Sequence, residues 1–423
     1  MAKQIDNVTC VSCGCLCDDL AVQIADGQIT SAERACSISQ PLFVASQENK
    51  TVTAEIEGKE VSLEAAIDRA SEILDSSCSP LIWGLAESTI EAQRKAIALA
   101  DRLGGTVDPA LSPFHRAALI ALQSVGISTC TLGEVKQRAD VVLFWGCDPM
   151  TTHPRFFERF IDPPCKFTAT GRNLVVVDDE RHETASLANE FLQIEPGADF
   201  EVLSTLRAIV AEVEIESETV GRVSLAQLQA LSNTLKASNY PVLFFGSGIA
   251  EDEDASSTLE SLFLLVRQLN DHSRCSAIGL GGPIAENVLT WQTGYPCGVN
   301  FATGYPRFDP VAYSATRLLE SGEADALLMC GKSGFQHLAK AAREKLHDMP
   351  VVLLEPAQSA PYDNNQFVPT VRIPLARVGI HTGGTVFRMD GVPLPLRQLT
   401  QSSHLSEEEV LTAILEGVLK TCC

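Results

Sequence analysis

The sequence predicts an α/β protein of doubly wound parallel sheets, with a small N-terminal cysteine-rich β subdomain and a β-rich C-terminal segment. Three observations predict it. Short runs of uninterrupted apolar residues recur along the chain, as strands buried on both faces require. Segments with apolar residues at helical spacing lie between those runs. Near the N-terminus, Cys10, Cys13, Cys17 and Cys36 are spaced like the ligands of a metal–sulfur site.

The elements follow in order. LAVQI at 20–24, the turn Asp26-Gly27 and QIT at 28–30 predict a β-hairpin, which would bring Cys36 back beside the first three cysteines. A helix capped by Ser62 runs to residue 74. PLIWG at 80–84 is a buried strand, 89–103 a helix closed by Gly104-Gly105, and 139–146 and 173–178 are two further strands. Apolar runs at 241–246, 326–331 and 350–355 continue the series, with helices at 200–213, 225–237 and 257–270. Several strands end in glycine, and an open α/β sheet places its ligand outside the carboxyl ends of its strands. Beyond residue 365 proline and glycine multiply, which predicts a β-rich closing segment and a helix at 406–419. The expected division is a cysteine-rich subdomain at 1–55, α/β domains at 56–185 and 186–360, and a C-terminal segment at 361–423.

Composition narrows the function. A chain of 423 residues with 45% hydrophobic content supports two to four cores. A net charge of −22 argues against nucleic-acid binding, which needs a basic footprint. The N-terminus lacks the apolar core of a signal peptide, and no apolar run reaches membrane-spanning length, so a cytoplasmic protein without a membrane is expected. In that reducing setting, clustered cysteines favour a metal over disulfides.

Cys10-x2-Cys13-x3-Cys17-x18-Cys36 offers the thiolates of one [4Fe–4S] cluster, with Cys15 inside the loop as a non-ligand. A zinc site is the rival, although zinc knuckles usually come as two CxxC pairs and one is present. Unliganded buried thiols are the plain alternative. Elsewhere the signals are weaker. His153 and Arg155 follow a strand end and read either as cofactor contacts or as loop packing. Cys147 reads as a small buried thiol. Gly246, Gly248 and the glycines at 279–282 are candidate phosphate cradles, without a full GxGxxG. Residues 252–254 read as an acidic surface loop, Cys422-Cys423 as flexible thiols, and His337 and His347 as solvent-facing residues of a helical stretch. No Ser/His/Asp triad or HExxH pair marks a hydrolytic site.

Five further stretches carry a family resemblance: CVSCGCLCDD at 10–19, GEVKQRAD at 133–140, WGCDPM at 145–150 with His153-Pro154-Arg155, TWQTGYP at 290–296 and GTVFRMDGVP at 384–393. In these the chain resembles the molybdopterin/tungstopterin oxidoreductases, and over nearly its whole length the B subunit of formylmethanofuran dehydrogenase. The resemblance implies a molybdopterin-oxidoreductase-like fold and a pterin site, with Cys147, His153, Arg155, Gly246 and Gly248 as its remnants. It also implies a metal-binding cysteine or selenocysteine followed by histidine. Here that stretch reads SPFHRAALIALQ at 112–123, so His115 keeps the histidine's place and Phe114 takes the cysteine's. A phenyl ring cannot supply a thiolate. A second departure is Asp178-Asp179-Glu180-Arg181, where the family places Asp-Pro-Arg near a pterin phosphate. Added carboxylates there repel pyrophosphate, which Arg181 would offset only in part.

With both departures the chain resembles the B subunit of the bacterial formyltransferase/hydrolase complex, which has lost the redox metal. That likeness implies A, C and D partner subunits in a hetero-oligomer. The A subunit would be a zinc amidohydrolase, and the D subunit would move a formyl group between tetrahydromethanopterin and a methanofuran-type carrier. Molybdopterin or tungstopterin would then be absent, with a [4Fe–4S] cluster still possible and no catalytic metal in this chain. The alternative is a catalytic B subunit of formylmethanofuran dehydrogenase carrying pterin, metal and cluster, since some family members replace the protein thiolate by oxide or sulfide. A free-standing iron–sulfur carrier would leave most of the chain unexplained.

Overall fold

The computed structural model describes residues 3–45, 52–111, 113–168, 171–250, 255–282, 285–357, 359 and 367–421. The acidic run at 252–254 and the Cys422-Cys423 pair lie outside them. By internal contacts the chain divides into two units, one of residues 1–111, 283–388 and 393–423, the other of 112–282 and 389–392. This differs from the four consecutive segments expected from sequence. The physical reason is strand pairing: Ala326–Cys330 lies parallel beside Pro80–Gly84, a contact across more than two hundred residues that no local pattern encodes.

In the first unit a nine-stranded sheet runs Arg307–Phe308, Val299–Asn300, Thr106–Pro109, Pro80–Gly84, Ala326–Cys330, Val351–Pro356, Val371–Leu375, Ala54–Ile56, Lys59–Val61. The five middle strands are parallel and the edges antiparallel. Their apolar runs are continuous because both faces are covered. Ile82, Leu328 and Val352 enter one core with the helices Leu63–Ser76, Ile90–Leu103 and Glu407–Thr421, while Leu81, Leu327 and Leu353 enter another. Ser62 caps the first of these helices, as the sequence predicts; Thr89 caps the second, and Gly104 ends it in the left-handed conformation.

The same unit carries a three-stranded antiparallel sheet, Lys3–Val8, Leu20–Ala25 and Gln28–Glu33. The expected hairpin is its second half, with Asp26 and Gly27 both at positive φ as a tight turn requires. The first strand, KQIDNV, is polar and largely exposed, so periodicity did not reveal it. The cysteine loop spans residues 9–19, between the first two strands. At the other end, Gly384–Phe387 pairs with Pro393–Leu396 as a small closing hairpin. The stretch expected to be helical around His337 and His347 is a 3-10 turn at Phe335–His337 and a helix at Lys340–Lys345, with both histidines exposed.

The second unit is a wholly parallel five-stranded sheet, ordered Glu190–Gln193, Asn173–Asp178, Val141–Trp145, Pro241–Phe245, Ser276–Gly279. Numbered along the chain this is 3-2-1-4-5. Strand order therefore reverses between Trp145 and Phe245, where a doubly wound sheet opens a crevice at its carboxyl edge. Helices Pro113–Val125, Asp199–Val210, Leu225–Ala237 and Ala255–Leu269 supply the rest of its core. No helix among the described residues is long and apolar enough to cross a membrane.

Candidate functional site

The cysteine loop is fixed by two backbone hydrogen bonds. Cys10 N–H donates to the Cys17 carbonyl at 2.8 Å, closing the loop, and Leu16 N–H donates to the Cys13 carbonyl at 3.2 Å, turning the chain over 13–16. Leu16 sits at φ 39°, the left-handed region a branched side chain avoids, and is buried against Val386 and Leu396. Packing thus holds a strained turn in place.

Cys36 does return to this loop. Its N–H donates to the Ser39 hydroxyl at 3.0 Å and its sulfur lies 3.5 Å from the same oxygen. That hydroxyl also reaches the Cys10 sulfur, which is 3.2 Å from the Ser12 hydroxyl. Burial pushes the Cys10 thiol up. Cys13 behaves oppositely: hydrogen bonds from the Cys15 side chain and N–H outweigh burial and bring its thiol down to about 7. Cys10, Cys15 and Cys17 are buried, Cys13 and Cys36 half-buried. Among the described residues, no group of three His, Cys, Asp or Glu could hold a metal ion. The thiols are the right kind of donor for an iron–sulfur cluster, but as placed they form no group that could hold a metal ion.

The second location is the carboxyl edge of the five-stranded sheet, where a cleft of about 200 Å³ is lined by Gly146, Asp178, Asp179, Asp199, Gly248 and Thr258 among others. The glycines here answer to one another. A Cβ on Gly146 would strike the Ile249 nitrogen, and one on Gly246 would strike Cys147. Their N–H groups are already used: Gly246 donates to the Trp145 carbonyl at 3.1 Å and Gly248 to the Gly146 carbonyl at 3.0 Å. Close backbone approach, and no phosphate cradle, accounts for glycine at these positions.

The cleft is acidic. Asp199, at the start of its helix, accepts the Trp145 indole N–H at 2.6 Å, and burial raises its carboxyl to about 6. Burial also raises Asp178, which sits 3.2 Å from His182 Nε2. His182 lies 3.4 Å from Asp148, whose carboxylate binds the Thr151 and Thr184 hydroxyls. Those hydroxyls outweigh burial and lower its pKa. A pyrophosphate would meet these carboxylates with no free N–H from Gly246 or Gly248 to receive it, so the residues present do not fit one.

The remaining predicted residues are engaged in packing. Phe114, 7% exposed, meets the Phe245 ring edge-on at 5.7 Å and faces Gly279 within the core. His115 is half-buried beside it, ring centres 6.5 Å apart. His153 is buried and its pKa lowered by burial. Its Nε2 donates to the Gly281 carbonyl at 3.1 Å, so Nδ1 accepts from Thr152 at 2.8 Å. Arg155 binds Glu158 through Nε at 3.2 Å and Nη2 at 2.7 Å. The Cys147 thiol, pushed up by burial, points at the Phe244 carbonyl. Among the described residues, Gly248 is the one predicted pterin-site residue that lines the cleft. Sequence reasoning missed Asp199 and the Asp148–His182–Asp178 chain; acidic residues following buried strand ends were the available signal.

In the first unit the corresponding edge is filled by paired charges. Fully buried Glu355 binds Lys332 at 2.8 Å and Arg372 at 2.7 Å, and Arg372 also reaches Glu55 at 3.1 Å. Nearby, Glu407 is buried, hydrogen-bonded to Ser88 and Cys330, and its carboxyl is pushed by burial up to about 7.

No family model matches the sequence. The chain is 32% identical to the B subunit of tungsten-containing formylmethanofuran dehydrogenase 2 of Methanocaldococcus jannaschii, over 99% of each. It is 27% identical to the B subunit of the formyltransferase/hydrolase complex Fhc of Methylorubrum extorquens, over 66% of this chain and 74% of that one. Among solved structures, a chain of the FhcABCD complex of Methylorubrum extorquens with methylofuran aligns at TM-score 0.72 and 23% identity, covering 88% of this chain and 99% of that one. Acetylene hydratase of Pelobacter acetylenicus aligns at 0.69 and 12%, covering 97% and 69%. The predicted molybdopterin-oxidoreductase-like fold is thereby established.

Proposed function

The chain belongs to the family of formylmethanofuran dehydrogenase B subunits, and on that premise we propose that it is the scaffold B subunit of a formyltransferase/hydrolase-type complex whose redox metal site is lost. The observation that carries this is Phe114, a core hydrocarbon at the position where the family resemblance expects a metal thiolate. The acidic, self-bonded edge at Gly146, Asp178 and Asp199 supports it, since a pterin dinucleotide would find neither cations nor free N–H groups among them.

In this reading formyl transfer and hydrolysis take place on partner subunits of the A and D type, with a C-type subunit completing the assembly. The setting is tetrahydromethanopterin- and methanofuran-linked one-carbon metabolism in the cytoplasm, with formate as product. Cys10, Cys13, Cys17 and Cys36 would hold a [4Fe–4S] cluster. Such a group supplies a one-electron centre when bound; in a chain without a redox metal its role is to cross-link the loop to the turn at Cys36. A catalytic dehydrogenase subunit is the second reading, favoured by full-length similarity to a tungsten-containing relative.

Co-expression separates the two. The chain should purify with A-, C- and D-type subunits as one assembly, release formate from formyl-tetrahydromethanopterin, and leave an artificial one-electron acceptor unreduced when given formylmethanofuran. Acceptor reduction would establish the dehydrogenase reading instead. Expressed alone, the chain should aggregate; a stable, monodisperse monomer would speak against an obligate subunit.

A further inference from the structure

Among the described residues, the three most exposed large hydrophobic side chains fall in one stretch of the first unit: Trp291 at 69%, Tyr305 at 60% and Val311 at 68%. They are set on fixed supports. Trp291 meets the Phe387 ring edge-on at 4.9 Å. Tyr295, four residues on, stacks flat on Phe308 at 4.9 Å, and Phe308 lies three residues from Tyr305 and three from Val311. Phe308 belongs to Arg307–Phe308, the outermost strand of the nine-stranded sheet. Asp309, next in the chain, accepts Val311 N–H at 2.9 Å and Ala312 N–H at 2.7 Å, which fixes the backbone there. The stretch is also poor in charge. Charged residues make up 20% of the chain, yet 287–313 holds two, Arg307 and Asp309, of opposite sign. Core packing does not account for a tryptophan left this exposed, and a chain that works alone gains nothing from such a patch.

We infer that this patch is where the chain docks on a different subunit of its assembly, against an apolar, uncharged face of that partner. The inference rests on the assembly reading above and names the surface and the chemistry it takes. Rigid aromatic anchors on charge-poor ground are what the centre of a stable interface contains. Charge selects the occupant. A strongly charged partner face would lose its water here and find only Arg307 and Asp309, which cancel. Nucleic acid, an anionic membrane and a second copy would each meet the field of a chain at −22.

The test co-expresses the full-length chain with A-, C- and D-type subunits, purifies through a tag on this chain, and measures the recovery of each partner relative to it. In the double variant Tyr305→Glu, Val311→Glu the recovery of at least one partner should fall about tenfold or more. Val213→Glu, at a valine 58% exposed outside the patch, should leave every recovery within about twofold of wild type. Circular dichroism checks that each variant is folded. Thr303→Arg adds charge at an exposed position between the strands Val299–Asn300 and Arg307–Phe308 and leaves the aromatic pairs alone, so it decides the matter if the double variant fails to fold. Unchanged recovery of every partner in a folded patch variant overturns the inference, and so does an equal fall in Val213→Glu. A wild-type dimer that Val311→Glu splits, with partner recovery unchanged, gives the patch to a second copy and overturns it too. Wild type that recovers no partner overturns the assembly reading itself, and is seen before any variant is made.

Discussion

At Phe114 the ring packs between Phe245 and Gly279, where a thiol would leave a void. Phe114→Ala should cost about 3–5 kcal/mol in urea unfolding. A loss under about 1 kcal/mol would mean the site collapses easily and is less core-like than its burial. Glu407 makes a pH prediction. Its folded carboxyl titrates at about 7 against 4.5 for a free side chain, so the native state holds the proton more tightly than the unfolded chain. Stability from this group is full below about pH 4.5 and is lost as pH climbs through 7, by roughly 3 kcal/mol. Glu407→Gln should remove that loss, seen as a smaller fall in the unfolding midpoint between pH 5 and pH 8 than in wild type; parallel curves would refute the assignment. Asp199, raised to about 6, pushes in the same direction.

Among the elements, Asp108 shows how one side chain orders a sheet edge. Fully buried at the end of Thr106–Pro109, it accepts Gly298 N–H at 3.0 Å and Ala315 N–H at 2.7 Å. Asp108→Ala strands both donors and should cost about 2–4 kcal/mol in thermal or urea unfolding. Its neighbour Pro80–Gly84 was legible because burial on both faces leaves continuous apolar text, and the helix Leu63–Ser76 because Ser62 caps it; Thr106–Pro109 itself, short and half polar, was not. The strand Lys3–Val8 was not legible, since its pairing with Leu20–Ala25 is made by backbone groups that polar side chains do not announce. Spacing alone marked Cys10, Cys13, Cys17 and Cys36 as candidates, and the fold brings Cys36 back to Cys10 through the Ser39 hydroxyl. The left-handed turn at Leu16 was not legible, because nothing in the sequence marks a branched residue for that conformation.

At the scale of the whole molecule the chain interleaves its units: the first sheet takes Ala54–Ile56, Lys59–Val61, Pro80–Gly84 and Thr106–Pro109 from before residue 111 and is completed by strands after residue 282. A fragment of residues 56–185 should therefore fail to fold, whereas 112–282 should give a cooperative melt by circular dichroism; the reverse outcome would contradict the interleaving. The acidic cleft residues were visible in the sequence as Asp178-Asp179, but Asp199 joins them only through the fold. Within each unit the carboxyl edge carries the protein's own paired or buried charges where an α/β sheet usually receives a ligand. Together with Phe114, this is the basis for reading the chain as an oxidoreductase frame without its reaction centre. Elemental analysis of the assembly, purified without oxygen from cells supplied with molybdate and tungstate, tests that most directly. The expected result is about four iron atoms per chain and no stoichiometric molybdenum or tungsten; about one atom of either metal per chain would contradict it.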